Sequence, residues 1–402
     1  MWFIFSSSAA LYSSWSQRYD YCMDKVYEDA LALHKKHHGK LEVRSKVPIE
    51  NKDDLSLAYT PGVAQVSVEI GKNPESAREY TLKHNTIAVV SDGSAILGLG
   101  NLGAEAAIPV MEGKAILFKK FADIDAFPIC LATQDVEEII ETTKRIAPVF
   151  GGINLEDISA PRCFEVERRL RAELSIPVMH DDQHGTSVVV LAALINALKL
   201  RAIPKEEARI VMSGAGAAGT AVARLLLEYG IKDIVLSDSK GAIHQKRADL
   251  TPEKKELARI TNPRGAAGGL AEILVDADVF IGVSKGGILS EEMVRSMHER
   301  PIVLALANPI PEIMPDAAKR AGAFIVATGR SDFPNQINNV LAFPGIFRGA
   351  LDHGVKQFTS TMFLRAAEAL AGCVKHPDAD HVLPSAFDTE VVRAVAASMV
   401  KL

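Results

Sequence analysis

The stretch Ala208–Asp238, ARIVMSGAGAAGTAVARLLLEYGIKDIVLSD, decides the fold. Its first apolar run, Arg209–Ser213, has strand length and passes directly into the turn from Gly214 to Gly219. Thr220–Tyr229 then reads as a helix, and a second short run, Asp233–Ser237, follows. Strand, glycine turn, helix and strand in this order predict a right-handed βαβ unit. The glycines permit a tight turn whose backbone N–H groups approach a pyrophosphate at the positive end of the helix. Asp238 lies 19 residues beyond Gly219, where a carboxylate grips a ribose hydroxyl. Gly214, Gly216, Ala217 and Gly219, with Asp238 and Ser239, are the expected dinucleotide contacts.

Working outward, Asp278–Val283, Ile302–Ala307 and Phe324–Ala327 are further strand-length runs, with helical segments between most of them. Together they predict a Rossmann-type sheet. Upstream, Gly185–Leu200 is apolar nearly all round and too long for a strand, so it reads as a buried helix connecting two domains. Before it, Thr86–Ser91, Lys114–Phe121, Pro128–Thr133, Gly151–Asn154 and Ile176–His180 read as strands of a second, mostly parallel sheet. Residues 23–38 and 135–144 read as helices. The fold class is α/β: a Rossmann-type dinucleotide domain plus an α/β substrate- and metal-binding domain. The expected borders are a non-core extension at 1–22, a substrate and metal domain at 23–181, the dinucleotide domain at 182–337, and C-terminal helices at 338–402 that return to the first domain.

A second GxGxxG occurs at Gly98, Gly100 and Gly103, with Asp123 beyond it. Asp92–Leu97 separates this turn from its strand, and Pro109 is expected to interrupt the next helix by its second turn. This turn is therefore assigned to a close-packed loop lining the cleft, and the pyrophosphate to Gly214–Gly219.

The 402 residues exceed one ordinary core and fit two or three domains. With 48% hydrophobic and 24% charged residues the composition is globular, and a net charge of −5 without a basic stripe gives a nucleic-acid role no support. The four cysteines, Cys22, Cys130, Cys163 and Cys373, form no CxxC pair, which points to a reducing cytoplasm rather than a disulfide scaffold. Met1–Cys22 lacks the pattern of a signal peptide, and Met23 is the expected functional start. No run is read as spanning a membrane. His34, His37 and His38 have metal-ligand spacing, but Lys35 and Lys36 among them make a solvated helix face the expected reading.

Two acidic pairs, Glu156-Asp157 and Asp181-Asp182, end adjacent strand-like runs. Taken singly, Asp182 reads as a helix N-cap and Glu156-Asp157 as a solvated helix start. Together they can give three oxygen ligands to a hard cation, Mg²⁺ or Mn²⁺. Lys114, opening an apolar strand, either snorkels to water or serves as a base whose pKa is moved toward neutrality. Tyr59 alone reads as a buried structural tyrosine.

Eight segments, in order, resemble the motifs of the malic enzyme family: AYTPGVA (Ala58–Ala64), SDGSAILGLGNLG (Ser91–Gly103), MEGKAILFK (Met111–Lys119), NLEDIS (Asn154–Ser159), HDDQHGT (His180–Thr186), Ser213–Gly219, LANP (Leu306–Pro309) and QINNVLAFPG (Gln336–Gly345). The length is that of the short, prokaryote-like type. The resemblance implies oxidation of L-malate at C2, loss of the C4 carboxylate, and release of pyruvate, CO₂ and reduced dinucleotide. It also assigns roles. Glu156, Asp157 and Asp182 match metal ligands, and Lys114 matches the group that takes the hydroxyl proton, with Asp181 as its partner. Tyr59 matches the acid that protonates C3, and Asn308 and Asn338 match amides orienting substrate and nicotinamide. Larger members carry an arginine after the Asp-Gly pair. Ser94-Ala95 stands here instead, so the resemblance leaves the C1-carboxylate countercharge to another subunit or the metal. A homodimer or higher homo-oligomer is implied. A malolactic enzyme, turning malate into lactate on bound NAD, and an inactive dinucleotide-binding regulator are the alternatives. As for NAD against NADP, Asp238 repels a 2′-phosphate, whereas Ser239, Lys240, Lys246 and Arg247 can hold one.

Overall fold

In the computed structural model, which describes residues 25–400, the apolar runs become two sheets. The chain divides into two units, Met1–Lys46 and Val47–Leu402. In the first, α1 covers residues 25–37 and leaves Val26, Tyr27, Leu31 and Leu33 exposed. The expected extension Met1–Cys22 and the start at Met23 lie outside the described residues.

The second unit opens with α2 (Lys52–Ala58), α3 (Gly62–Lys72) and α4 (Ala77–Tyr80), none of which buries a residue. The first sheet follows: β1 (Thr86–Ser91), α5 (Ala104–Ala122), β2 (Asp125–Cys130), α6 (Val136–Ile146), β3 (Gly152–Leu155), α7 (Arg162–Glu173) and β4 (Val178–His180). Its strands are parallel, in the order β2-β1-β3-β4. α8 (Asp181–Arg201) leads to the second sheet, through β5 (Arg209–Ser213), α9 (Ala217–Tyr229), β6 (Asp233–Asp238), β7 (Gly241–Ala242), α10 (Pro252–Ile260), α11 (Leu270–Leu274), β8 (Val279–Gly282), α12 (Glu291–Ser296), β9 (Ile302–Ala305), α13 (Pro315–Arg320) and β10 (Ile325–Thr328). Its order is β10-β9-β8-β5-β6-β7, parallel except for β7, a short antiparallel edge that the sequence reading missed. α14 (Phe343–Asp352), α15 (Ser360–Gly372) and α16 (Thr389–Ser398) close the chain.

Period-2 alternation divides the core. Ile87 and Val89 of β1 face a cluster shared with α5, α8, α14 and α15, whereas Ala88 and Val90 face α6 and α7. β5 behaves alike: Ile210 and Met212 join the shared cluster, and Val211 points to α11, α12 and α13. α8 is long and apolar enough to cross a membrane by length and composition, yet most of it is core. The C-terminal helices pack back onto both halves, α14 and α16 on α5, and α15 on α8 and α9.

One strand was misread. Lys114–Phe121 is the C-terminal half of α5, not a strand. Ala107, Met111, Lys114, Ala115, Phe118 and Ala122 are buried at intervals of three and four, the helical period. Pro109 does not stop this helix. It and Glu105, whose carbonyl has no Pro109 N–H to accept from, lie on the exposed face, where water can reach the freed oxygen.

Candidate active site

The site begins where β3 and β4 end. Glu156 and Asp157 follow β3, and Asp181 and Asp182 form the first turn of α8. The N-cap of α8 is His180, so the N-cap reading of Asp182 fails. Asp182 instead accepts a hydrogen bond from the Asp157 amide at 3.0 Å, stitching the two strand ends together. Glu156 and Asp157 are buried, not solvated. Glu156, Asp157 and Asp182 each offer a carboxylate oxygen, and these oxygens lie within 4.8 Å of one another.

Three carboxylates this close repel, and burial denies them water. Burial first, then Asp182, pushes the Asp157 carboxyl up to about 7. Burial raises Glu156 and Asp181 too. Asp157 Oδ2 and Asp181 Oδ1 are buried without a hydrogen-bond partner among the described residues. An all-oxygen set of this kind fits a hard divalent cation, which would relieve both the repulsion and the unpaired Asp157 oxygen.

Lys114 reaches this cluster from α5, on its buried face. Its ammonium donates to Asp181, sits 3.0 Å from Glu156 Oε1 and lies 4.4 Å from the centre of the Phe343 ring. Burial alone lowers a lysine pKa, but Asp181 and Glu156 outweigh it and hold Lys114 above its ordinary value. The expected downward shift is thus reversed in the bare protein. Gly185 makes the pairing possible. A Cβ there would fall 1.8 Å from Asp181 Oδ1, the oxygen beside which the helix must stay open.

Tyr59 is not brought to this cluster. It terminates α2, is 66% exposed, and hydrogen-bonds to none of these residues. The buried reading of Tyr59 is therefore wrong. Asn338 caps the 3₁₀ turn Asn339–Leu341 through its Oδ1, 3.0 Å from the Val340 amide, and that turn packs against α8. Asn308 is exposed, and its carbonyl would lie 3.0 Å from a Cβ on Gly98. The Gly98 turn therefore lies beside the second sheet, although Leu97, Leu99 and Leu102 on it are exposed.

The dinucleotide fingerprint has the backbone that the motif demands. Gly214 has φ of 109°, and a Cβ there would meet the Val283 carbonyl at 2.5 Å. A Cβ on Gly219 would meet the Gly214 carbonyl at 2.0 Å, whereas Gly216 faces open space. Ala217 starts α9 with no side-chain cap, which leaves first-turn N–H groups free. Beside them is a cavity of about 760 Å³ lined by Gly214, Gly216, Asp238, Ser239, Lys254 and Ser284, among others. Arg247 binds both Asp238 oxygens at 2.9 and 3.2 Å, and Lys254 binds one at 2.5 Å. Burial favours the neutral acid, but these bonds win and hold Asp238 down at about 2.

Three contributors escaped the sequence reading. Arg162 of α7 pairs with the buried Asp92 at 3.2 Å, bringing a guanidinium to the loop that lacks the larger members' arginine. Buried Glu167 accepts from the His180 amide and Gln183, with His184 Nε2 2.8 Å from it, and so pins the start of α8. Lys254 joins Asp238 from 16 residues away. Each is a contact across elements, with no local pattern to signal it.

The model of the malic enzyme N-terminal domain matches residues 38–171, and that of the malic enzyme NAD binding domain matches 183–402. A bifunctional malic/malolactic enzyme of Bacillus subtilis is 55% identical over 93% of this chain and 92% of its own length. An NAD-dependent malic enzyme of Geobacillus stearothermophilus is 54% identical over 90% of this chain and 76% of its own. The crystal structure of a Thermotoga maritima NAD-dependent malic enzyme superposes with a TM-score of 0.90 at 50% identity, over 92% of this chain and 98% of that one. With both domain models matched in order and relatives at half identity or more over nine-tenths of the chain, the chain belongs to the malic enzyme family, the NAD(P)-dependent oxidoreductases that decarboxylate malate.

Proposed function

We propose that the chain converts L-malate to pyruvate and CO₂ with reduction of NAD, using the residues just described. The observation that carries this reading is the Lys114 ammonium held between Asp181 and Glu156, at the edge of the carboxylate trio. Glu156, Asp157 and Asp182 would hold Mg²⁺ or Mn²⁺. When bound, the cation supplies Lewis acidity to the substrate oxygens and offsets the carboxylates' hold on the Lys114 proton.

Lys114, once unprotonated, takes the C2-hydroxyl proton, and Asp181 orients it and shares that proton. Gly214, Gly216, Ala217 and Gly219 would hold the dinucleotide pyrophosphate, and Asp238 and Ser239 its adenosine ribose. Asn308 and Asn338 place the nicotinamide and substrate so that hydride leaves C2 toward the ring. After the C4 carboxylate departs, Tyr59 protonates C3.

Because Tyr59 is exposed and apart from the cluster, a second copy of the chain supplies it. α2 and α3 bury nothing, yet they carry exposed Leu55, Leu57, Val63, Val66 and Val68, the kind of apolar surface a homodimer covers. Arg247, one of the cations able to hold a 2′-phosphate, is engaged with both Asp238 oxygens, which supports NAD over NADP.

Steady-state assays with malate and either dinucleotide test the reading. Reduced dinucleotide and pyruvate should accumulate, with kcat/KM higher for NAD⁺. Lys114→Ala should lose about 10²-fold or more in turnover, the scale of general acid–base catalysis, while retaining dinucleotide affinity. Equal loss of both would count against the role of Lys114. The Bacillus subtilis relative favours a second reading, malolactic turnover. Lactate formed without net NADH would establish it.

A further inference from the structure

Glu312 is completely buried, lies outside the carboxylate cluster, and has no part in the steps above. It follows the LANP motif in a turn between β9 and α13. Its two oxygens are divided between two loops. Oε1 accepts the Ser284 amide at 3.0 Å, just beyond β8, and Oε2 accepts the Ala307 amide at 3.0 Å, just beyond β9. The Ser284 hydroxyl meets the Ser213 hydroxyl at 2.9 Å, one residue before the glycine turn. Ala307 immediately precedes Asn308. One carboxylate thus ties the β5–β8 switch point, where a Rossmann sheet opens its crevice, to the residue assigned to the nicotinamide.

The contact is built for a carboxylate. A Cβ on Gly282 would fall 2.3 Å from Glu312 Cδ, so the last residue of β8 has to lack a side chain for the group to lie where it does. Two backbone donors converging on two oxygens favour an anion over an amide, because an amide has only one oxygen to accept with. Asp238 marks the adenosine side of the crevice on β6; Ser284, beyond β8, lines the cavity beside it and the glycine turn, and Ala307-Asn308, beyond β9, lies one strand further from Asp238.

We propose that Glu312 is a positioning residue that clamps the β8 and β9 loops into the nicotinamide subsite, and so governs how the ring and Asn308 are presented to malate. The proposal rests on the cofactor placement above. It predicts that the clamp matters more to the nicotinamide half of the ligand, which both loops serve, than to the adenosine half, which only the Ser284 loop touches.

Binding of NAD⁺ and of ADP-ribose, which lacks the nicotinamide, to the full-length protein by calorimetry reads the difference directly. In Glu312→Gln one amide N–H faces the nitrogen of the new side chain. NAD⁺ affinity should fall about tenfold, the usual effect of losing a charge-assisted hydrogen bond, with ADP-ribose affinity falling clearly less and kcat reduced. Gly282→Ala, which keeps the glutamate but drives it off its donors, should give the same pattern and serves if the first variant fails to fold. Equal weakening of both ligands, or of neither, overturns the proposal. Asp238→Ala should weaken ADP-ribose. If it does not, the cofactor placement itself fails and takes the proposal with it.

Discussion

Asp157 shows how strongly one carboxyl can record its surroundings. Burial and the neighbouring Asp182 raise it to about 7, against about 3.9 in an unfolded chain. An acid whose pKa is higher folded than unfolded contributes stability that is complete below the unfolded value and lost as pH rises through the folded one. Glu156 and Asp181 shift in the same direction. The metal-free protein should therefore melt a few degrees lower at pH 8 than at pH 5, and Mn²⁺ should recover the loss at pH 8. Scanning calorimetry with and without the cation checks this. A metal-free melting temperature that climbs from pH 5 to 8 would contradict the clustering. Of this site, the acidic pairs were visible in the sequence, because each ends a run of strand length. The direction of the Lys114 shift was not. It depends on Asp181 and Glu156 being 67 and 42 positions away in the chain yet in contact with the ammonium.

At the level of elements, the second sheet was the more legible half. β5 coincides with the run from Arg209 to Ser213, and β6, β8, β9 and β10 lie within a residue or two of their expected bounds. Buried parallel strands flanked by glycine and acidic turns announce themselves. α5 did not, because KAILFKKF is as continuous as a strand over eight residues, and only the buried positions from Ala104 onward show the helical period. β7 is two residues long and has no periodicity to read. α8 owes its function to a single opening at Gly185. Gly185→Ala should leave the helix intact, since alanine favours it, but displace Asp181 from Lys114. The expected result is turnover at least tenfold lower, within the range for a misplaced catalytic group, with the circular dichroism spectrum of the parent. Undiminished turnover would show that Asp181 does not need its present orientation.

For the whole molecule, the telling contrast is that Tyr59 is exposed on the surface while Lys114 is buried, with no hydrogen bond joining them among the described residues. Local sequence showed both, through AYTPGVA and MEGKAILFK, but could not say whether one chain assembles them. If a second copy donates Tyr59, Lys114→Ala and Tyr59→Phe variants damage different partners of the same pair. Each alone should be nearly inactive. Co-expressed, they should form mixed dimers in which one site has both an intact lysine and an intact tyrosine, restoring about a quarter of the activity by random pairing of equal amounts. Absence of recovery, with mixed dimers shown by mass, would place Tyr59 and Lys114 in one chain.

α8 starts with Asp181 and Asp182 at the carboxylate cluster, and it ends with Arg201 holding Asp278 and the carbonyls of Glu299 and Arg300. A recombination breakpoint inside it would leave each parent with half of a continuous rod. Exchange of cofactor modules between relatives, whether by natural gene shuffling or in a laboratory chimaera, is therefore best seamed after Ala202, where the helix has ended and the second sheet has not begun. The incoming module must then also bring its own partners for Arg201.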